Sequence, residues 1–243
     1  MAHHRLAAAA ALTIATALPA AAQEGWSGQI TPYVWASGLG GKLTPFSGAP
    51  TLSLDKSFSE VMEDLDGAFF LSGYARRDRF VVLGDFSYSS SSKDGRIPPG
   101  YPARGKLSQR SLTLAAGYRA ISDDGMSLDV LAGARAWNVK STISVAGGAA
   151  QASPGKDFVD PTLALRANVA LAPRWSAIFY ADAGGFGVGS DRTFQLVATA
   201  NYQVNDNLYV SAGYRQLNVD YRSGGTRMDV TMAGPLLGVT WRF

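Results

Sequence analysis

Apolar and polar side chains alternate along most of the chain beyond residue 25. In one segment Leu163, Leu165 and Ala167 alternate with Ala164 and Arg166. A period of two places successive side chains on opposite faces of a β-strand, so the pattern indicates strands with one apolar and one small or polar face. The pattern predicts ten strands, at about 27–38, 66–76, 79–90, 107–120, 127–140, 159–171, 175–187, 193–204, 208–221 and 228–243.

Short and longer connections alternate between these segments. Short turns follow every second strand, near 76–78, 122–125, 172–174 and 205–207, with turn residues such as Asp-Asp-Gly and Asn-Asp-Asn. The remaining connections lie near 39–65, 91–106, 141–158, 188–192 and 222–227, and the first three of these are long. Short turns at one end and longer loops at the other are typical of a transmembrane β-barrel. We therefore predict an all-β fold, an antiparallel transmembrane β-barrel of about ten strands, with short periplasmic turns and longer extracellular loops; eight or twelve strands also fit.

A soluble β-sandwich would show the same alternation, with its apolar face in the core. Large aromatic residues near both ends of the strands favour the barrel, because aromatic girdles mark the two interfaces of a membrane. Near the short turns we expect Trp26, Tyr74, Phe80, Tyr118, Trp175, Tyr202, Tyr209 and Trp241. Near the long loops we expect Trp35, Phe69, Tyr88, Trp137, Phe186, Phe194 and Tyr221.

The first 22 residues have the three parts of a secretion signal. A basic start ending at Arg5 precedes the apolar run 6–18, and Ala20–Ala22 supplies a small-residue cleavage pattern after Pro19. The apolar run is too short to span a bilayer as a helix. We expect a signal peptide over 1–22 and a barrel domain over 23–243.

Composition removes several classes of chemistry. The chain has no Cys, and its two His, His3 and His4, lie within the predicted signal peptide. The mature chain therefore lacks a thiolate or imidazole for catalysis or for a transition-metal site. Loss of Arg5 lowers the formal charge from +3 to +2, which argues against nucleic acid as a partner. We expect no enzyme activity, no cofactor and no metal.

The last strand alternates up to its end, through Leu237, Val239, Trp241 and Phe243. A terminal aromatic residue on an alternating strand resembles the signal that the barrel-assembly machinery of bacterial outer membranes recognises. Trp241 and Phe243 are therefore the predicted assembly signal.

Several motifs resemble those of a family of bacterial outer-membrane β-barrel proteins of uncharacterised function. The motifs are Pro32-Tyr33-Val34-Trp35-Ala36-Ser37-Gly38-Leu39-Gly40-Gly41, Leu65-Asp66-Gly67-Ala68-Phe69, Gly133-Ala134-Arg135-Ala136-Trp137, Gly184-Gly185-Phe186-Gly187-Val188-Gly189-Ser190-Asp191 and Gly213-Tyr214-Arg215. Members often carry Tyr where this chain has Ala136, a difference that concerns packing. The resemblance covers most of the mature chain and implies a fold and a location, the outer membrane of a Gram-negative bacterium, but no catalytic residue.

The predicted inner face carries charges of both signs. A small barrel is filled by side chains, and buried charges must be paired, so these residues predict a salt-bridge network that fills the lumen. A charged constriction that selects small solutes is the alternative. The predicted lumen residues are Asp85, Arg119, Asp129, Arg135, Arg166, Asp182 and Arg215.

A short helix is predicted at the barrel mouth. Ser57 and Glu60 have the spacing of a capping box, and apolar residues follow at helical spacing through Leu65. We expect Ser57, Glu60, Glu63 and Asp64 to form a segment folded over the mouth. A contact with a divalent cation or lipopolysaccharide through Glu60, Glu63, Asp64 and Asp66 is the alternative.

These features predict a monomeric, non-enzymatic outer-membrane barrel with a structural role or a narrow passage for small solutes. Its expected partners are outer-membrane lipid, lipopolysaccharide and the barrel-assembly machinery. A surface binding or adhesion protein that acts through its extracellular loops is an alternative. An apolar-ligand channel or a lipid-directed barrel enzyme has less support, since the mature chain has no His or Cys.

Overall fold

The computed structural model describes residues 25–44, 47–48, 50–97, 100–145, 150–153 and 155–243. The predicted signal peptide lies outside these ranges. No helix within them is long and apolar enough to cross a membrane. The elements are β1 (Trp26–Trp35), β2 (Gly38–Thr44), β3 (Leu52–Lys56), α1 (Phe58–Glu63), β4 (Leu65–Arg77), β5 (Phe80–Ile97), β6 (Tyr101–Ser122), β7 (Met126–Val145), β8 (Ala150–Ala152), β9 (Gly155–Ala172), β10 (Trp175–Gly184), β11 (Arg192–Gln203), β12 (Leu208–Ser223) and β13 (Thr226–Arg242).

Ten of these strands form a closed antiparallel barrel. They pair in the order β1-β4-β5-β6-β7-β9-β10-β11-β12-β13, and β13 pairs with β1 to close the ring. The other half of β13 pairs with β2, which in turn pairs with β3, while β8 pairs with β7. The predicted antiparallel barrel of about ten strands is confirmed.

The structure corrects the predicted extracellular loops. β5 continues to Ile97 and β6 begins at Tyr101, so most of the expected loop 91–106 is a paired hairpin. β7, β8 and β9 together occupy most of 141–158, and the segment 39–65 holds β2, β3 and α1. The strands of 91–106 have polar side chains on both faces, so this segment lacks the alternation by which the sequence reveals a strand.

Large apolar side chains cover the outside of the barrel. Leu163, Leu114 and Leu237 are 60, 56 and 65 % exposed. A continuous apolar surface of this kind is unfavourable in water and favourable in lipid. The aromatic residues Phe80, Tyr118, Trp175 and Trp241, exposed on the same face, lie near the short-turn end. The outer surface is therefore a lipid-facing band.

Five residues assigned above to the aromatic girdles point into the barrel instead; one is Tyr209, which shares its face of β12 with Arg215 and whose ring centre lies 4.0 Å from the Arg242 guanidinium. Trp35, Trp137 and Tyr221 are buried, and Tyr74 donates a hydrogen bond to the inward-facing Asp129. Trp137 follows Arg135 by two positions, so strand alternation places both side chains on the inner face. Proximity to a strand end alone did not distinguish an inner aromatic residue from an interfacial one.

Candidate functional site

The candidate site is the barrel lumen, into which all seven predicted charged residues project. They lie on the inner faces of six strands, β5, β6, β7, β9, β10 and β12, and β7 carries two of them, Asp129 and Arg135. The structure gathers these residues into three hydrogen-bonded groups rather than one network. Each group contains at least one arginine and one aspartate.

The first group is centred on Arg135 of β7. Its guanidinium makes a two-pronged contact with Asp182 of β10, with Nη2–Oδ2 at 2.5 Å and Nη1–Oδ1 at 3.2 Å. Nε donates to the hydroxyl of Thr113 at 2.8 Å, and Nη1 also donates to Thr193 at 3.2 Å. The two charged side chains are 1 % and 0 % exposed. Arg135 therefore links four strands, β6, β7, β10 and β11, through buried polar contacts.

The second group surrounds Asp129 of β7. Arg119 donates to its carboxylate through Nε at 2.8 Å, and Arg166 approaches it at 3.5 Å. The Tyr74 hydroxyl donates to the same carboxylate at 2.8 Å and accepts from Arg119 at 2.8 Å. The Arg166 guanidinium also lies 4.2 Å from the centre of the Tyr74 ring. One carboxylate thus holds two arginines and joins β4 to β6, β7 and β9.

The third group crosses the lumen from β5 to β12. Arg215 of β12 contacts Asp85 of β5 at 3.1 Å, Gln195 at 2.8 Å and the hydroxyl of Tyr33. Tyr33 in turn donates to Asp85 at 2.8 Å. The Arg215 guanidinium also lies 4.6 Å from the centre of the Trp35 ring. Because β5 and β12 lie far apart in the ring, this group spans the barrel interior.

A fourth inward-facing carboxylate, Asp160, is not among the residues predicted from the sequence. It is fully buried and accepts hydrogen bonds from Trp137 Nε1 at 2.9 Å and from the backbone N–H of Ser190 at 2.6 Å. A side chain at Gly189 would clash with Val159 and with Asp160 itself. The loop 185–191 is therefore held against the inner wall by this carboxylate. Asp160 and Arg166 both occupy even-numbered positions of β9, so the alternation that places Arg166 on the inner face also places Asp160 there.

Aromatic rings fill the lumen on the extracellular side of these charges. Trp137 stacks on Phe158, with centroids 5.9 Å apart, and Phe158 stacks on Tyr221 at 4.4 Å. Trp35 and Phe70 pack edge to face in the same hydrophobic cluster. We call Trp35, Phe70, Trp137, Phe158 and Tyr221 the aromatic layer.

A polar cavity of about 130 Å³ borders the three charged groups. Its wall includes the hydroxyl or amide groups of Thr31, Ser72, Asn201 and Thr240. A cavity of this size holds roughly ten water molecules. Water in the cavity can therefore reach the partly exposed edges of the charged groups, but the ion pair of Arg135 remains buried.

The predicted short helix is present as α1, with its capping box intact, while its placement over the mouth remains a prediction. The Ser57 side chain accepts from the Glu60 backbone N–H, while the Glu60 carboxylate accepts from the Ser57 N–H at 2.8 Å. The Ser57 hydroxyl also donates to Glu60 Oε2 at 2.7 Å, and this hydrogen bond, together with that from the Ser57 N–H, lowers the pKa of Glu60. The main neighbours of α1 are β2 and β3, so the helix lies beside the hairpin at the rim.

The acidic residues after the helix form ion pairs with lysines. Lys56 contacts Asp64 at 2.5 Å and lowers the pKa of that carboxyl, while Lys106 contacts Asp66 at 3.4 Å. Hydrogen bonds from Ser92 lower the pKa of Asp66. Across the ranges that the structure describes, no group of three or more His, Cys, Asp or Glu residues is placed to hold a metal ion. Glu63 has no part in these ion pairs.

The predicted assembly residues lie at the short-turn end of β13. The Trp241 side chain is exposed on the lipid-facing band. Phe243 exchanges two backbone hydrogen bonds with Gly28, at 2.9 and 3.0 Å, and its ring covers the position that a side chain at residue 28 would occupy. These contacts tie the last strand to β1 at the seam where the barrel closes.

Comparison with known proteins finds similarity in structure alone. No family model and no curated protein matches the chain. Among solved structures, Ail, the attachment invasion locus protein of Yersinia pestis, is 16 % identical, with 90 % of this chain and 99 % of that chain covered and a TM-score of 0.41. The outer membrane protease OmpT from Escherichia coli is 12 % identical, with 90 % and 94 % covered and a TM-score of 0.47. Neisserial surface protein A is 11 % identical, with 90 % and 97 % covered and a TM-score of 0.36.

At these identities the similarity bears on neither activity nor partner. The assignment rests on the molecule's own geometry. A closed antiparallel wall has no unpaired edge across the bilayer, and its apolar outer band is stable only in lipid. The chain is therefore a transmembrane β-barrel protein of the bacterial outer membrane.

Proposed function

We propose that this protein is a non-enzymatic outer-membrane barrel with a closed lumen and a structural role in the membrane. The observation that carries the proposal is the burial of the ion pairs inside the barrel. The side chains of Arg135, Asp182 and Asp129 are at most 1 % exposed, and that of Arg215 is 3 % exposed. In an open aqueous pore these charges would be accessible to water.

The size of the barrel supports the same conclusion. Eight strands leave an interior just wide enough for side chains, whereas sixteen enclose an aqueous channel. Ten strands lie near the closed end of this range. The aromatic layer occupies the space beyond the charged groups, so solutes that entered the mouth would meet packed rings first.

The same contacts argue against selective transport and catalysis. A selectivity filter needs charges that passing ions can reach, and a carboxyl acid catalyst needs an environment that favours its protonated form. Here the carboxylates of Asp129 and Asp182 each contact at least one arginine and are 0 % exposed, so neither passing ions nor a substrate can reach them. These groups therefore support a structural role for the lumen charges.

Solute uptake into liposomes tests the proposal. Liposomes that contain the refolded full-length protein should swell no faster in small sugars or amino acids than protein-free liposomes. A general porin serves as the positive control. Rapid swelling that depends on solute size would show an open passage and would reject the closed-lumen proposal.

One observation favours a second function, in which the parts of β5 and β6 that extend beyond the membrane bind a partner at the cell surface. The segments 92–97 and 101–106, which continue β5 and β6 beyond their membrane-spanning parts, carry four basic residues and one acidic residue; three of the basic side chains form ion pairs with Asp64, Asp66 or Asp94, yet each of the three remains at least 48 % exposed. Such a hairpin would attract a polyanion. Cells that express the intact protein should then adhere to heparin-coated plates better than cells in which a two-residue turn replaces 93–105. Equal adhesion would reject this second function.

A further inference from the structure

The outer face changes from apolar to basic within two residues on β6 and within four residues on β7. Leu112 of β6 is exposed on the lipid-facing band, and Arg110, two residues further towards the extracellular end, is exposed on the same face. On β7 the corresponding step runs from Ala136 to Asn138 and then Lys140. Because Leu112 is the last large apolar residue on this face of β6, we infer that Arg110 and Lys140 lie at the level where lipid headgroups begin.

Strand register brings the polar side chains of this boundary together. Arg110 pairs with Asn138, and Ser108 pairs with Lys140. Arg110 and Lys140 are thus diagonal neighbours on one face, about 7–8 Å apart at the backbone, a distance that long side chains bridge. We call Arg110, Asn138, Lys140 and Ser108 the boundary site.

The two cations of the boundary site are not neutralised by carboxylates. Within the described ranges, no carboxylate lies within ion-pair distance of Arg110 or Lys140. The Arg110 guanidinium lies 5.4 Å from the centre of the Tyr88 ring, which holds it against the outer wall. The nearest acid on this face, Asp157, accepts from Asn138 Nδ2 at 2.5 Å. The site therefore presents two exposed positive charges directly above the lipid-facing band.

We propose that the boundary site binds a phosphate group of the phosphorylated glycolipid in the outer leaflet, the lipid A part of lipopolysaccharide. The glycolipid carries its phosphates on the sugars next to its acyl chains, at the depth of Arg110 and Lys140. Guanidinium and ammonium groups donate strong charge-assisted hydrogen bonds to phosphate oxygens, and Ser108 offers a further donor. The acyl chains would lie along Leu112 and the apolar surface below it. This site extends the membrane contact and does not depend on whether the lumen is closed.

Titration of bisphosphorylated lipid A by native mass spectrometry tests the proposal on the folded full-length protein in a neutral detergent. The double variant Arg110→Gln/Lys140→Gln should bind at least about tenfold more weakly than the unmodified protein, since two charge-assisted contacts are lost. Dephosphorylated lipid A should bind the two proteins equally and weakly. If the double variant does not fold, Lys140→Gln alone should still weaken binding several-fold.

The matched control removes the same charge elsewhere on the extracellular part of the barrel. Arg222 and Arg227 pair across β12 and β13 and are exposed, so Arg222→Gln/Arg227→Gln should leave lipid A binding unchanged. Equal affinity of the boundary-site variant and the unmodified protein would overturn the proposal, as would an equal loss in the control. A dimer that dissociates when Arg110 and Lys140 are replaced would show that a second copy covers this face instead, and would also overturn it.

Discussion

The guanidinium of Arg135 and the carboxylate of Asp182 form a two-pronged ion pair inside the barrel, with the shorter contact at 2.5 Å. The residues lie on β7 and β10, which are separated in the ring by β9. The pair therefore fixes three consecutive strands by a contact that passes over the middle one. Its burial is also what distinguishes a filled lumen from a charged pore.

Removing one partner of this ion pair should destabilise the barrel strongly. We expect Arg135→Ala to lower the free energy of unfolding by about 3–5 kcal/mol, because it leaves the Asp182 carboxylate buried without its cation. Urea titration of the protein in lipid vesicles measures the change. Leu163→Ala is the control, since this exposed side chain faces lipid and leaves no cavity, and it should cost less. A neutral Arg135→Ala variant would contradict the filled-lumen account.

The contact between Asp160 and Ser190 should restrain the loop 185–191. Asp160→Ala removes the acceptor for the Ser190 N–H and for Trp137 Nε1, and each unsatisfied buried donor costs about 1–3 kcal/mol. We expect faster amide hydrogen exchange at Ser190 and protease cleavage within the loop. Asp157→Ala, an exposed position on the same strand, should change neither. Unchanged protection of the loop in the Asp160 variant would show that this hydrogen bond does not hold it.

Gly117 is required by the close approach of β6 to β7. A Cβ atom at this position would lie 1.9 Å from the Val130 carbonyl oxygen, and backbone on both sides limits any adjustment. Gly117→Ala should therefore destabilise the barrel by about 1–3 kcal/mol in the same urea titration. Gly73→Ala is the matched control, because a Cβ there meets nothing within 4 Å. Similar midpoints for the two variants would contradict this account of the wall.

The capping box should make the order of α1 depend on pH. The pKa of Glu60 is lowered from its ordinary value of 4.5 by hydrogen bonds from Ser57. A lowered pKa in the folded state means that this contribution is fully present above about pH 4.5 and is lost as the pH falls through the lowered value. Amide exchange in 58–63, corrected for intrinsic rates, should therefore accelerate on acidification below that range. Glu60→Ala should remove the pH dependence, and if the variant retained it, another group would be responsible.

The membrane-spanning strands could be predicted because the surroundings of each residue determine whether it is apolar or polar. Lipid on one side and packed side chains on the other impose strict alternation, as in the segment around Leu163 and Leu165. Above the membrane both faces of a strand meet polar surroundings. The sequence therefore predicts loops where β5 continues to Ile97 and β7 to Val145. There the strands are held by pairing with their neighbours, which no single segment reveals.

The sequence predicts which charged residues face the lumen, but it does not predict which of them contact one another. Alternation identified the inward charges, yet it did not show that Asp129 contacts Arg119 and Arg166 while Asp182 contacts Arg135. Those choices depend on side chains crossing between strands that are not neighbours. The same holds for Tyr33 and Tyr74, because each hydroxyl donates to a carboxylate on a strand that is not its neighbour.

The conductance of single molecules in a planar lipid bilayer tests the central claim, a closed lumen, most directly. Because buried ion pairs and the aromatic layer fill the interior, we expect the intact protein to give low or intermittent conductance, well below that of a general porin, with little ion selectivity. Removal of 57–64 should raise this conductance only if the segment covers the mouth; its position beside β2 and β3 predicts a small effect. A large, stable conductance in the intact protein would contradict the account.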